Sequence, residues 1–254
     1  MESLVWYQYA LIGLIFVWSG FVRSGLGFGG AVLALPFLLL VINDPLIFLP
    51  LIAVHLIFFS SLIMVHSIRD KAAESLSTIN WTYLKRSIGI MILPKIAGVI
   101  GLLTLPPVVM STIIFIIVLA YAIGYIINRP IEIKTKLQEY AFLGMGAYVS
   151  GTSLTGAPLI VPVVAARVNK HELRNTLFVL WWILTLIKLV SFMIAGIDLQ
   201  LIHHLWLLPC AFIGHHLGNK MHAYLIGKGG RPIFSVLGIA LVIVSITGLT
   251  KSIL

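Results

Sequence analysis

Ser150-Gly151-Thr152-Ser153-Leu154-Thr155-Gly156 stands in the middle of an almost uncharged run of thirty residues, 137–166. One helix crossing a hydrocarbon core of about 30 Å needs only about 20 residues. The glycine and hydroxyl residues at the centre of the run disfavour a helix interior. Split there, the arms 137–150 and 156–166 measure roughly 21 Å and 16 Å at 1.5 Å per residue. Neither reaches across. The run is predicted to be a re-entrant hairpin or a pair of broken helices.

The rest of the chain explains why a membrane is the right solvent for that argument. Of 254 residues, 60% are hydrophobic and 10% charged, with a mean hydropathy of +1.09. Ordinary globular proteins are roughly 45–50% apolar and 25% charged, so a soluble fold is excluded. Further apolar runs lie at about 4–22, 26–43, 45–68, 87–105, 106–127, 175–197, 199–218 and 232–250, most of them long enough to span. The first reads as a retained helix, since Met1-Glu2-Ser3 lacks the positive start of a signal peptide. The single cysteine, Cys210, rules out an intrachain disulfide. Trp81, Tyr83, Tyr140 and Tyr224 fall near run ends, as an aromatic belt would.

Charge gives the orientation. With 17 Lys+Arg against 8 Asp+Glu the net charge is +9, and no basic stretch is attached to a soluble domain that would bind nucleic acid. If each half of the 137–166 run counts as one pass, fourteen of the 17 basic residues share a side: Arg23, Arg69, Lys71, Lys85, Arg86, Arg129, Lys134, Lys136, Arg167, Lys170, Arg174, Lys220, Lys228 and Arg231. The positive-inside rule makes that side cytoplasmic and puts both termini outside. Lys251 falls opposite, and Lys95 and Lys188 lie inside apolar runs.

Shifted by 126 residues, Gly25–Pro36 aligns with Gly151–Pro162. Five of twelve positions are identical, namely Gly25/Gly151, Gly30/Gly156, Ala31/Ala157, Leu33/Leu159 and Pro36/Pro162. Each motif precedes a short apolar helix, a turn and a long span. Five passes per half is an odd number, so the second half is predicted to be inverted. The fold expected is an all-α polytopic membrane protein, one transporter domain over 1–254, built of inverted repeats at about 1–128 and 129–254. Such repeats, with interrupted helices, hold substrate near the midplane in many transporters.

Non-helical backbone at membrane depth must be buried in protein or line a wet cavity, and glycine lets main chain approach a ligand closely. The helix after each motif is expected to begin at Gly30 or Gly156, its exposed N–H groups forming an anion site. The candidate binding residues are Ser24, Gly25, Gly27, Gly29 and Gly30, with Gly151, Thr152, Ser153, Thr155 and Gly156 from the second motif. The same glycines would equally serve close helix packing.

The acids bear on the sign of the cargo. All eight (Glu2, Asp44, Asp70, Glu74, Glu132, Glu139, Glu172 and Asp198) lie at or outside run ends, leaving no deep carboxylate for a cation. Lys95 and Lys188 are deep, where a charge costs at least about 2.5–3.5 kcal/mol. They join the candidate set and point to an anion. Their competing role is structural, as long stems reaching an interface or capping backbone carbonyls. Arg23 is expected to snorkel from the end of its span. His55 is a candidate for proton coupling, with a structural hydrogen bond as the alternative. His203-His204 and His215-His216 make a poor metal site, because helix neighbours point about 100° apart and no Cys or carboxylate accompanies them. No metal and no cofactor is expected.

The motif Gly-x-Gly-x-Gly-Gly-x5-Pro at Gly25–Pro36 and its partner at Gly151–Pro162 resemble the twin signatures of the TauE/SafE family. The resemblance continues through Ile79-Asn80-Trp81, His171-Glu172-Leu173-Arg174-Asn175 and Ile213–Lys220. It implies a secondary transporter, not an enzyme, for a small anion such as sulfite, a sulfonate or an organic acid. It also implies a multi-pass protein of a prokaryotic-type cytoplasmic membrane, with homo-oligomerisation open. Ala31 where a third glycine is common, and Ser153 and Thr155 where glycines often stand, depart from the family pattern where cargo would be coordinated. The rival readings are a metal or cation permease, and a membrane-embedded enzyme or assembly factor using the His pairs.

Overall fold

The computed structural model describes residues 4–26, 29–70, 79–127, 132–227 and 231–253, with the side chains at 26, 63, 66–70, 222–227, 231–234 and 253 excepted. Gly27, Lys71, Glu74, Arg129 and Lys228 lie outside the described residues, as does the side chain of Tyr224. Ten α-helices are described: α1 (Trp6–Leu26), α2 (Leu35–Val41), α3 (Pro45–Asp70), α4 (Trp81–Thr104), α5 (Pro107–Ile127), α6 (Lys136–Ser153), α7 (Ala157–Ala165), α8 (Lys170–Ile194), α9 (His204–Gly227) and α10 (Arg231–Ile253). Among the described residues there is no strand. Among the described residues, five helices are long and apolar enough to cross a membrane: α3, α4, α5, α8 and α10.

Local chemistry fixes the helix starts. Proline, whose missing N–H costs nothing at a first turn, opens α3 and α5. The Asp44 carboxylate accepts from Leu46 N at 2.9 Å, and Asn80 Oδ1 from Tyr83 N at 3.0 Å. Thr135 and Gln138 form a reciprocal capping box on α6.

The chain divides into two compact units, 1–51 with 104–129 and 198–254, and 52–103 with 130–197. In the first, α1 packs along α9 and α10 along α5, with α2 against α1, α5 and α10. The α1–α9 approach is close because glycines carry it. A Cβ on Gly214 would strike the Val17 carbonyl, and one on Gly218 the Phe21 carbonyl. In the second unit, Met91 of α4, Leu143 and Ala147 of α6, Ile160 of α7 and Leu180 and Leu184 of α8 share one core. There Gly98 of α4 meets the Tyr148 carbonyl and the Gly151 Cα of α6.

Several sequence expectations need correction. The run 26–43 holds no spanning helix, only the seven residues of α2, about 10 Å of helix. The first motif's helix begins at Leu35 and not at Gly30, because residues 30–34 form hydrogen-bonded turns, with Leu33 N on Gly29 O at 2.9 Å. Arg23 does not snorkel: α1 continues to Leu26 and Arg23 is 4% exposed. Gly151, Thr152 and Ser153 belong to the last turn of α6, so the non-helical stretch shrinks to Leu154–Gly156. Packing overrides glycine's low helix propensity at both places, since Gly25 and Gly151 sit against Gly218 and Gly98. Tyr83, expected at a membrane surface, is buried in the core of the second unit.

Candidate functional site

In the second unit the candidate residues gather around the C-terminal end of α6. Leu154 caps that helix in the left-handed region, φ 59°, and donates its N–H to Ser150 O at 3.1 Å. Gly156 precedes α7, whose first turn contains a proline. The last carbonyls of any helix lack intrahelical donors, and two lysines supply them. Lys95 Nζ, from α4, donates to Ser150 O at 2.8 Å and Ser150 Oγ at 2.9 Å. Lys188 Nζ, from α8, donates to Gly151 O at 2.7 Å and Thr152 O at 3.1 Å. Both lysines are fully buried.

An ammonium has three N–H donors, so each lysine keeps one without a described hydrogen-bond acceptor, and the Lys188 ammonium also lies 5.5 Å from the centre of the Phe192 ring. Among the described residues neither lysine pairs with a carboxylate. Glu139 and Glu172, described acids of this unit, lie elsewhere. Glu139, buried at the start of α6, accepts from Arg167 Nε at 2.9 Å and stands 3.6 Å from Arg86 Nη2. Glu172 accepts from Asn80 Nδ2 at 3.4 Å and from Asn169 Nδ2 at 3.2 Å.

The hydroxyls at the break are engaged with their own helix. Thr152 Oγ1 donates to Val149 O at 2.9 Å and Ser153 Oγ to the same oxygen at 3.0 Å. Ser153 has a single proton, so in its contact with Thr155 the Thr155 hydroxyl is the donor. His55 is buried on α3. It belongs to this unit.

In the first unit the candidates are Ser24 and Gly25 in the last turn of α1, then Gly29 and Gly30 after it. Gly29 has φ +86°, a conformation that favours glycine. Ser19 Oγ donates to Gly30 O at 3.3 Å and Trp18 Nε1 to Leu33 O at 3.1 Å, tying the returning chain to α1. A Cβ on Gly30 would crowd Ser19 and Arg23. Ser24 is fully buried and shares a 2.5 Å hydrogen bond with His215 Nδ1 of α9. The Asn219 amide donates to His215 Nε2 at 3.0 Å.

Sequence reasoning weighed His215 only as half of a metal pair. Its neighbour His216 is exposed, so the two do diverge around the helix. The signal that would have found the cluster is the i, i+4 spacing of His215 and Asn219, interleaved with the packing glycines Gly214 and Gly218.

A family model described as "Sulfite exporter TauE/SafE" matches residues 11–245. No curated protein and no solved structure matches the chain.

Proposed function

The chain belongs to the sulfite exporter TauE/SafE family, and from that premise we propose a secondary transporter that carries a small oxyanion across the cytoplasmic membrane by alternating access. The cargo class is sulfite, a sulfonate or a related organic anion. The observation that carries this reading is the pair of fully buried ammoniums, Lys95 and Lys188, on the end of α6. Burying a charge is costly unless it is paired. Each lysine has one N–H to offer, and an anion is the partner that would complete both.

The proposed binding set is Lys95, Lys188, Gly151, Thr152, Ser153, Thr155 and Gly156 around the second motif. Ser24, Gly25, Gly27, Gly29 and Gly30 serve the first. For the hydroxyls of Thr152, Ser153 and Thr155 to bind cargo, their present hydrogen bonds must open. Two inverted halves, about 1–128 and 129–254, fit a chain with α1 to α5 before residue 128 and α6 to α10 after it. Their rocking against each other would provide the alternation. The distribution of basic residues supports a topology with both termini outside.

Flux of sulfite and methanesulfonate into liposomes holding the full chain tests the proposal. The wild type is expected to move at least one of them. Lys95→Met and Lys188→Met should each lower that flux at least tenfold, since a hydrogen bond to a charged group is worth about 1.5–3 kcal/mol. Transport of a divalent metal with no anion flux overturns the reading.

A further inference from the structure

Beyond the first motif, the first unit contains a cavity of about 220 Å³ between the C-terminal ends of α2 and α10, with α5 beside them. Its inner wall is apolar. Leu39 and Val41 line it from α2, and the Phe115 ring of α5 lies over Gly248 of α10, where a Cβ would strike the ring. Gly248 stands four residues inside the end of its candidate span, Ser235–Ser252, and Phe115 eight residues inside the start of its own, Pro107–Ile127. At 1.5 Å per residue those depths are roughly 6 and 12 Å. That is the level of acyl chains.

The rim is polar. Lys251, exposed in the last turn of α10, donates from Nζ to Leu40 O at 3.4 Å. Two of its three ammonium N–H groups are left without a described acceptor. Among the described residues no carboxylate forms an ion pair with it. Asn43, which also lines the cavity, donates from Nδ2 to Ser252 Oγ at 3.5 Å, while its Oδ1 is buried and has no donor. Asp44, the next residue, is engaged with Leu46 N at the start of α3.

A cation and an acceptor above an apolar wall select an amphiphile. A small hydrophilic oxyanion gains nothing from Phe115 and Leu39, and a bare hydrocarbon gains nothing from Lys251. The volume falls below the roughly 300–1,000 Å³ of pockets that enclose a whole small molecule. The site therefore suits one part of a longer ligand whose remainder stays in the bilayer. Charge counting also sets Lys251 on the face opposite the other loop cations, so a lipid phosphate there has few rival partners.

We propose that this cavity binds one anionic glycerophospholipid of the surrounding membrane. Its phosphate sits on Lys251, a head-group hydroxyl donates to Asn43 Oδ1, and the upper part of one acyl chain lies against Phe115. The lipid touches α2, α5 and α10 together. It thereby braces the seven-residue helix that follows the first motif against the two helices that α2 already meets. The site does not depend on which cargo the protein moves.

Delipidated full chain in detergent, titrated with phosphatidylglycerol, provides the test, read by native mass spectrometry and thermal melting. One phospholipid per chain should stay bound and raise the melting temperature. Lys251→Met should weaken that binding about tenfold, as expected for a lost hydrogen bond to a charged group. Val41→Phe fills the apolar wall and should weaken binding while the charge stays. Lys85→Met, at an exposed lysine of the second unit, should leave it unchanged. Diacylglycerol with the same chains lacks the phosphate and should not be retained. Unchanged affinity in Lys251→Met, or retention of diacylglycerol as strong as that of phosphatidylglycerol, overturns the proposal, and neither outcome requires Val41→Phe to fold. Lipid-free stabilisation by inorganic phosphate or methanesulfonate that Lys251→Met removes would mark a site for soluble anions and overturn the lipid assignment. A lipid-free dimer that Val41→Phe disrupts would assign the cavity to a second copy of the chain and overturn it equally.

Discussion

The end of α6 and the end of α1 are built on the same serine–glycine step but stabilised in different currencies. At α6, two buried ammoniums hold three consecutive carbonyls, those of Ser150, Gly151 and Thr152. At α1, a chain of side chains runs from Asn219 through His215 to Ser24. The first arrangement is built on two amines and the second on an imidazole and an amide. A helix end tolerates either solution, because what its carbonyls and hydroxyls require is a donor and not a charge. The difference lies in what each end would demand of a ligand.

That comparison can be broken most severely at the glycines. Gly98→Leu and Gly218→Leu put a side chain against backbone in their respective units, and backbone cannot move aside as a rotamer can. Each should cost more than about 3 kcal/mol, the upper part of the overpacking range. Purified full chain should melt well below the wild type or fail to accumulate. If Gly218→Leu is harmless while Gly98→Leu is not, the two helix contacts are not equivalent.

The serines sharpen the comparison. Ser150→Ala leaves Lys95 its bond to Ser150 O, so about 1 kcal/mol should be lost. Ser24→Ala removes a hydrogen-bond partner of the buried His215 ring, for which about 1–3 kcal/mol is expected. Thermal melting of the two variants in the same detergent checks the order. Equal losses would mean that the His215 ring finds another hydrogen-bond partner.

The smallest effect concerns two indole N–H groups. Trp182 donates to Ser61 Oγ at 2.9 Å in the second unit, and Trp18 to Leu33 O at 3.1 Å in the first. Trp182→Phe and Trp18→Phe should each cost about 1 kcal/mol in stability. Only the second should also weaken anion affinity, because Leu33 lies in the returning chain of the first motif. Anion titrations of both variants distinguish them.

Much of this was legible from residue order. The membrane class and the burial of Lys95 and Lys188 follow from hydropathy and from their places inside apolar runs. What was not legible depends on partners distant in sequence. Ser24 and His215 are 191 residues apart, and no local pattern announces that they meet. Arg23 reads as a flanking charge until α1 is seen to continue beyond it into the packed interior. Gly25 and Gly151 read as helix breakers because propensity is a local quantity, whereas their real neighbours, Gly218 and Gly98, come from other helices. Glu139 was correctly put at a helix end, but its burial between Arg167 and Arg86 depends on a loop and a helix that sequence position does not bring near.

The glycine contacts also constrain how the molecule can move. A carbonyl that touches a neighbouring Cα leaves no slack along the axis. Sliding by a single residue, about 1.5 Å, would bring the next side chain onto that oxygen. Such contacts oppose axial sliding of α1 along α9 and of α4 along α6. A half that rocks against the other would therefore tilt these helices about their glycine contacts and not slide them.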